Sequence, residues 1–161
     1  MGGGGGGPSS IGDIRSLVER AKEALREGNA VAKRNVFLSF AFEDLDAVNL
    51  LRGQARNENS ALEFNDWSVS EAIDSERATY IKQKISERIG RSSVTVVFLS
   101  DSTSKSQWVH WEIQESLRLG KRVVGVHPAG KKPKELPDAM RRNRIRSVPW
   151  ADLPSTIEGL E

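Results

Sequence analysis

The chain contains three short runs that are almost entirely apolar and rich in strand-forming residues: 35–40 (Asn-Val-Phe-Leu-Ser-Phe), 93–99 (Ser-Val-Thr-Val-Val-Phe-Leu) and 122–126 (Arg-Val-Val-Gly-Val). A strand that is apolar on both sides must be buried on both faces, which is typical of a parallel sheet covered by helices. Residues 61–64 are a weaker strand candidate, and residues 145–148 a candidate edge strand. The runs predict a central, mainly parallel sheet of about five strands.

Helical patterns lie between these strands. Residues 45–56 and 78–89 carry apolar side chains at helical spacing, and residues 107–119 do so before Gly120, a residue type that commonly ends helices. Strands that alternate with helices favour a doubly wound α/β fold. The sequence therefore predicts a flavodoxin-like three-layer sandwich, with 33–160 as its domain.

The N-terminal region differs from this domain. Residues 1–9 are mostly glycine, and a segment without side chains to bury is expected to be a disordered tail. Residues 10–28 are predicted to form an amphipathic helix, because apolar residues recur there at helical spacing: Ile11, Ile14, Val18, Ala21 and Leu25. Such a helix either packs on the chain's own domain or associates with a second copy.

Composition excludes several classes of site. A chain of 161 residues holds one ordinary domain, and the absence of cysteine excludes disulfides and sulfur-based metal sites. The formal net charge of +2 gives no support for a nucleic-acid partner. The N-terminus has no apolar run long enough for a signal peptide or a membrane span, so we expect a cytoplasmic protein without membrane association.

Polar and aromatic residues follow the predicted strands where a ligand site is expected. Ligands of open parallel sheets bind at the carboxyl ends of the strands where strand order reverses, which is between the first and third strands in a flavodoxin-like sheet. Ser39 and Phe40 end the first strand, Ser100 follows the third, and Asp66 and Trp67 follow the second. The first strand is not followed by a Gly-x-Gly-x-x-Gly motif, and no Gly-Lys-Ser motif is present in the sequence, so a phosphate cradle of the usual kind is excluded.

Glu43, Asp44 and Asp46 follow the first strand and have two interpretations. They could hold magnesium in a receiver domain, or they could open a helix whose dipole favours acidic residues.

Glu112 lies in the third helical pattern, next to the apolar position Ile113. With Ile113 as the centre of the buried stripe, Glu112 is about 100° away, at the border between core and solvent. Trp108 lies one turn earlier on the same flank, and Trp111 is predicted to point further outward. The position alone is more typical of a solvated helix glutamate than of a carboxylate beside a cleft.

Taken together, these segments resemble a TIR domain, and within that family the TIR-like proteins typified by the Thoeris anti-phage sensor. The resemblance covers about 95 residues and includes the Trp-x-x-x-Glu arrangement after the third strand. Its blocks are Val36 to Phe40, Phe64 to Trp67, Ser93 to Leu99, Trp108 to Ile113 and Lys121 to His127.

The resemblance implies an enzyme that consumes NAD, either a glycohydrolase or an ADP-ribose cyclase, with Glu112 as its catalytic residue. NAD is the substrate, and no metal or further cofactor is implied. The residues expected to border the substrate are Phe37, Ser39, Phe40, Asp66, Trp67, Ser100 and Trp108. The product would be a nucleotide signal for an effector in bacterial anti-phage defence. The alternative is a non-catalytic interaction module that acts by self-association through the TIR domain or the N-terminal helix.

Two segments depart from the family pattern. Residues 68–72 lack the proline and glycine typical of the family's BB loop, and residues 131–146 are basic. We expect the basic segment to be mainly a solvated loop that leads into an edge strand; the alternative is a surface that binds an anionic partner.

Overall fold

The computed structural model of the chain describes residues 16–20, 34–57, 62–65 and 72–160. The chain divides into two units, residues 1–33 and 34–161. In the first unit, residues 16–20 are helical, and the side chains of Leu17 and Val18 are exposed. The predicted tail, 1–9, and the remainder of the predicted helix, 10–28, lie outside the described residues.

The second unit is built on a five-stranded sheet in which every neighbouring pair of strands is parallel. The order is β2-β1-β3-β4-β5, so strand order reverses between β1 and β3, as predicted. The strands are β1 (Arg34–Ser39), β2 (Leu62–Asn65), β3 (Val94–Phe98), β4 (Arg122–His127) and β5 (Ser147–Pro149).

Five α-helices connect or follow the strands of this unit in its described part. They are α1 (Leu45–Asn57), α2 (Ala78–Arg91), α3 (Gln107–Arg118), α4 (Asp138–Arg142) and α5 (Leu153–Glu158). The hydroxyl of Ser106 caps α3 by accepting from the backbone N–H of Val109 at 3.2 Å, and Gly120 follows the helix with φ +72°, a conformation that glycine adopts without strain. None of the described helices is long and apolar enough to cross a membrane.

Helices cover both faces of the sheet, which confirms the predicted three-layer α/β sandwich. On one face, side chains of β1, β3 and β4 pack against Val48 of α1 and against Leu153 and Ile157 of α5. On the other face, Phe37 of β1 packs with α2, while Val97 of β3 packs with α3 and α4. Alternating residues of the central strands point to opposite faces, so each strand supplies apolar side chains to both faces.

The segment 131–146 is mainly an exposed loop that leads into the edge strand β5, as predicted, although five of its residues form a helix that was not predicted. It contains α4, whose Ala139 and Met140 are buried against Leu99 and Val109. These two core residues were not recognised because lysines, arginines and prolines surround them in the sequence. The helix α5 was also not predicted, although Leu153 and Ile157 stand four residues apart, as on one face of a helix.

Gly125 is the point at which β4 is packed most tightly. An added Cβ would lie 2.7 Å from Met140 Cε and 2.8 Å from Leu99 Cδ1. By contrast, a Cβ at Gly53 in α1 would have no heavy atom within 4 Å.

We therefore expect opposite effects of the same substitution at these two glycines. Gly125→Ala should lower the free energy of unfolding by about 1–3 kcal/mol, because the core must shift to make room. Gly53→Ala should raise it by about 0.5–1 kcal/mol, since alanine is the better helix former. Urea unfolding of both variants measures the difference, and a Gly125→Ala variant as stable as wild type would contradict the packing described for β4.

Candidate active site at the carboxyl ends of β1 and β3

The site lies where strand order reverses, beneath helix α3. Ser39 is the last residue of β1 and is opposite Val97 of β3. Phe37 and Ser39, two residues apart on β1, point to the sheet face that α2 and α3 cover. The side chain of Glu112 reaches the same place from α3, so two elements distant in sequence converge at this edge of the sheet.

Glu112 is buried, not at the border between core and solvent, so the helix-geometry prediction is wrong. Its relative exposure is 3%. Helix α3 packs between α2 and α4 as well as on the sheet, which widens its buried arc to Trp108, Val109, Glu112, Ile113 and Ser116. The centre of that arc falls between Glu112 and Ile113, roughly 30° from Glu112 and roughly 70° from Ile113, rather than on Ile113.

The carboxyl group of Glu112 is bound by the hydroxyl of Ser39, which donates a hydrogen bond to Oε1 at 3.1 Å. Removal from water disfavours the charged form and raises the pKa of Glu112 from 4.5 to about 8, while the hydrogen bond from Ser39 opposes this shift. Near neutral pH, the folded chain therefore holds Glu112 mainly in its neutral, protonated form.

The buried hydroxyls of Ser116 and Thr95 hold the backbone at Glu112. Ser116 donates to the backbone carbonyl of Glu112 at 2.7 Å, and its oxygen lies 2.7 Å from Thr95 Oγ1. Since the Ser116 proton is used toward the carbonyl, Thr95 is the donor in this pair. The chain of hydrogen bonds from Thr95 through Ser116 ties the turn that carries Glu112 to the middle of β3.

Aromatic residues form the wall of the site toward α2. Trp108 is 9% exposed and belongs to a cluster with Phe37, Ala78 and the isoleucines of α2. Trp111 packs at the edge of this cluster, with its ring 6.1 Å from that of Trp108 at an interplanar angle of 83°. Trp111 lies on the outer side of α3, as predicted, and its contacts with this cluster leave it half-buried.

The structure does not bring every predicted site residue to Glu112. Phe37, Ser39 and Trp108 lie on its side of the sheet, but Phe40 packs on the opposite face. Ser100 lies at the same edge, after β3. Asp66 and Trp67, predicted to border the site from the loop after β2, lie outside the described residues.

Ser100 is occupied by local hydrogen bonds. Its hydroxyl donates to Asp44 Oδ2 at 2.5 Å and accepts from the backbone N–H of Ser102 at 3.0 Å. Burial is the main cause that raises the pKa of Asp44, against the effect of the Ser100 bond. Across the described part of the chain, no three histidine, aspartate or glutamate side chains are grouped to hold a metal ion.

Sequence comparison places most of these residues within one known family. Residues 37–133, more than half of the chain, match the sequence profile described as "Thoeris protein ThsB, TIR-like domain". Over 101 residues, the chain is 31% identical to a Bacillus cereus (strain MSX-D12) protein named "Putative cyclic ADP-D-ribose synthase ThsB1". This match covers 60% of the chain and 52% of that protein, so the chain spans about half the length of this curated relative.

Among solved structures, the chain is similar to the TIR domains in a structure of the activated Roq1 resistosome directly recognizing the pathogen effector XopQ. The TM-score is 0.44 at 22% identity, and the match covers 60% of this chain and 58% of that chain.

The raised pKa of Glu112 predicts that stability falls as pH rises. Between pH 4.5 and about 8, the folded chain keeps a proton on Glu112 that the unfolded chain has lost. The free energy of unfolding should therefore decrease across this window, by on the order of 1 kcal/mol per pH unit. Glu112→Gln, which is neutral at every pH, should lack this contribution and gain on wild type as the pH increases.

Urea unfolding at pH 5, 6, 7 and 8 measures this slope. Glu115→Gln is the matched control on the same helix, because the hydrogen bond from Arg118 lowers the pKa of Glu115 and leaves it ionised across most of the window. Parallel pH profiles for wild type and Glu112→Gln would show that Glu112 does not titrate as its burial requires.

Proposed function

The chain belongs to the TIR-like domain family of the Thoeris protein ThsB, and we propose that it is an enzyme that cleaves NAD between nicotinamide and ribose, with Glu112 as its catalytic residue. The observation that carries the proposal is the position of Glu112. It is a buried carboxyl group at the carboxyl ends of β1 and β3, where open parallel sheets bind ligands, and it ends the Trp-x-x-x-Glu arrangement.

One carboxylate is sufficient for this chemistry. As the bond from the ribose carbon to the nicotinamide nitrogen breaks, its electron pair leaves with nicotinamide, which departs as a neutral molecule, and positive charge develops on the ribose. A carboxylate beside the ribose stabilises that charge in the transition state. Attack by water then gives ADP-ribose and a proton, whereas attack by a nucleophile of the same molecule gives a cyclic product. The name of the Bacillus cereus relative supports the cyclic product.

The proposed reaction needs Glu112 in its ionised form and in contact with substrate. In this conformation Glu112 is 3% exposed and has a pKa of about 8. The site is therefore closed, and the carboxyl group is mainly protonated at neutral pH. Activation then consists of a movement that exposes the carboxyl group, by self-association or by a trigger. Ser39 would remain as the donor that favours the carboxylate.

NAD would be the only small molecule required, without a metal or a further cofactor. We place the reaction in the cytoplasm, with its product acting as a signal to an effector protein in defence against phage. The cytoplasmic location and the signalling role go beyond what the names of the family and of the relative state.

A non-catalytic interaction module is the second candidate, and the burial of Glu112 is the observation that favours it. In that case, Glu112 is a neutral core residue that joins α3 to β1, and the chain acts by association with further copies. Light scattering with and without residues 10–28 would identify an association that depends on the N-terminal segment.

Loss of the Glu112 carboxylate should abolish NAD cleavage. We expect Glu112→Gln to reduce the rate by at least about 100-fold, because the amide cannot supply the negative charge that the transition state needs. Glu115→Gln makes the same change one turn along α3, at a residue paired with Arg118, and should retain the activity. Chromatography of the products from NAD measures both, in preparations whose assembled state has been matched. Full turnover by Glu112→Gln would remove this residue from the role.

The pH dependence of the reaction should follow the ionisation of Glu112. The rate should rise with pH with a midpoint near pH 8 and level off about one pH unit higher, as the carboxyl group of the closed conformation loses its proton. Ser39→Ala removes a donor that lowers the pKa of Glu112, so the midpoint of the rate profile should move to higher pH.

Ser116→Ala is the matched control for Ser39→Ala, since Ser116 is equally buried but bonds to the backbone carbonyl of Glu112 and not to its carboxyl group. It should lower stability and leave the midpoint unchanged. Equal midpoints in all three proteins would exclude Ser39 from control of the Glu112 proton.

A further inference from the structure

Helix α3 has an outer side that the proposed reaction does not use. A cleft of about 460 Å³ lies there, on the side of the helix opposite the buried arc. The residues that line it come from α3, the turn before it and the segment before α2: Ile73, Ser104, Lys105, Gln107, His110, Trp111 and Gln114. Its volume is in the range of pockets that hold small ligands, about 300–1,000 Å³.

Trp111 gives the cleft a flat and rigid aromatic wall. Its ring is held edge-on by Trp108 at 6.1 Å, and the ammonium group of Lys82 lies 5.8 Å from its centroid. An indole that lines a cleft offers an aromatic surface on which a planar heterocycle can stack, as bases do on the aromatic side chains of nucleic-acid-binding proteins. An aromatic base is therefore the favoured uncharged part of a ligand here.

The polar lining favours an anionic group beside this base. Lys105 contributes a positive charge, and Lys82 adds a second close to Trp111. Among the residues that the structure describes, none that lines the cleft is acidic. The amide groups of Gln107 and Gln114 can both donate and accept hydrogen bonds, as the edge of a base requires. A cation next to a stacking surface and amide groups is the combination that recognises a nucleotide.

The imidazole of His110 is fixed at the same cleft. Its Nε2 lies 2.8 Å from the backbone carbonyl of Ser104, which can only accept, so Nε2 must be the donor. This bond ties α3 to the turn that supplies Lys105, and it holds two sides of the cleft in a fixed arrangement without any ligand.

We propose that this cleft is a second ligand site, which binds a mononucleotide through a base on Trp111 and a phosphate on Lys105. The site is separate from Glu112 but is coupled to it by the helix, because Trp111 and Glu112 are adjacent residues and Trp108 contacts Trp111. Occupancy of the cleft would therefore bear on the position of α3 above Ser39. The proposal goes beyond the proposed NAD cleavage and does not require it.

The direct test is a calorimetric titration of the purified full chain with AMP, with adenosine and inorganic phosphate as separate probes. We expect saturable binding of AMP, and binding at least 10-fold weaker for either fragment. Lys105→Ala should weaken AMP binding at least 5-fold, and Gln114→Glu should do so as well, because it places a negative charge in the lining. Both residues are exposed, so neither change should disturb folding.

Lys131→Ala is the matched control, since it removes the same charge from an exposed lysine that does not line the cleft; its affinity for AMP should equal that of wild type. Glu112→Gln should retain saturable AMP binding, because Glu112 does not line the cleft, which would distinguish this cleft from the proposed active site. Absence of saturable AMP binding, or phosphate binding as tight as AMP, would overturn the proposal. So would equal affinities of Lys105→Ala and Lys131→Ala, or loss of binding in Glu112→Gln. None of these outcomes depends on NAD turnover.

Discussion

The interaction between the carboxyl group of Glu112 and the hydroxyl of Ser39 joins the third helix to the first strand at the centre of this domain. A carboxyl group removed from water loses the solvation that stabilises its charge, and one hydrogen bond from a neutral donor, worth on the order of 1 kcal/mol net, does not replace it. The consequence is a protonated side chain, with a pKa of about 8. Close packing of α3 on the sheet therefore depends on Glu112 being neutral.

This dependence connects the fold to the proposed chemistry. The ionised form that stabilises positive charge on a ribose is the form that the closed packing disfavours. Exposure and deprotonation of Glu112 are thus thermodynamically linked, and any event that exposes the residue also favours its charged form. The oxidised nicotinamide ring of NAD carries a positive charge, so substrate bound beside the carboxylate would act in the same direction. On the proposed function, an enzyme built in this way would be inactive until Glu112 is exposed.

The architecture was predictable from the sequence because burial on both faces leaves a strong compositional signal. The three apolar runs predicted β1, β3 and β4 to within one residue at each end. The helix α4 was missed since its five residues supply only two apolar side chains, Ala139 and Met140, within a basic segment. The sequence shows the charge and hydrophobicity of each residue, but it does not show which element covers a short helix. Only the structure shows that α4 packs on α3.

The burial of Glu112 was not predictable for a related reason. A helical pattern gives the angles between side chains, but the width and the centre of the buried arc depend on what flanks the helix, and α3 has neighbours on both sides as well as the sheet below. Polar residues that form hydrogen bonds with each other in the core, as Thr95 and Ser116 do, are of the same residue types as polar residues that face solvent, so the sequence does not distinguish them. The predicted buried side of α3 is therefore narrower than the observed one. The outer side of α3 carries Trp111 beside an open cleft, so one helix presents a desolvated acid inward and an aromatic platform outward, and a displacement of the helix must alter both.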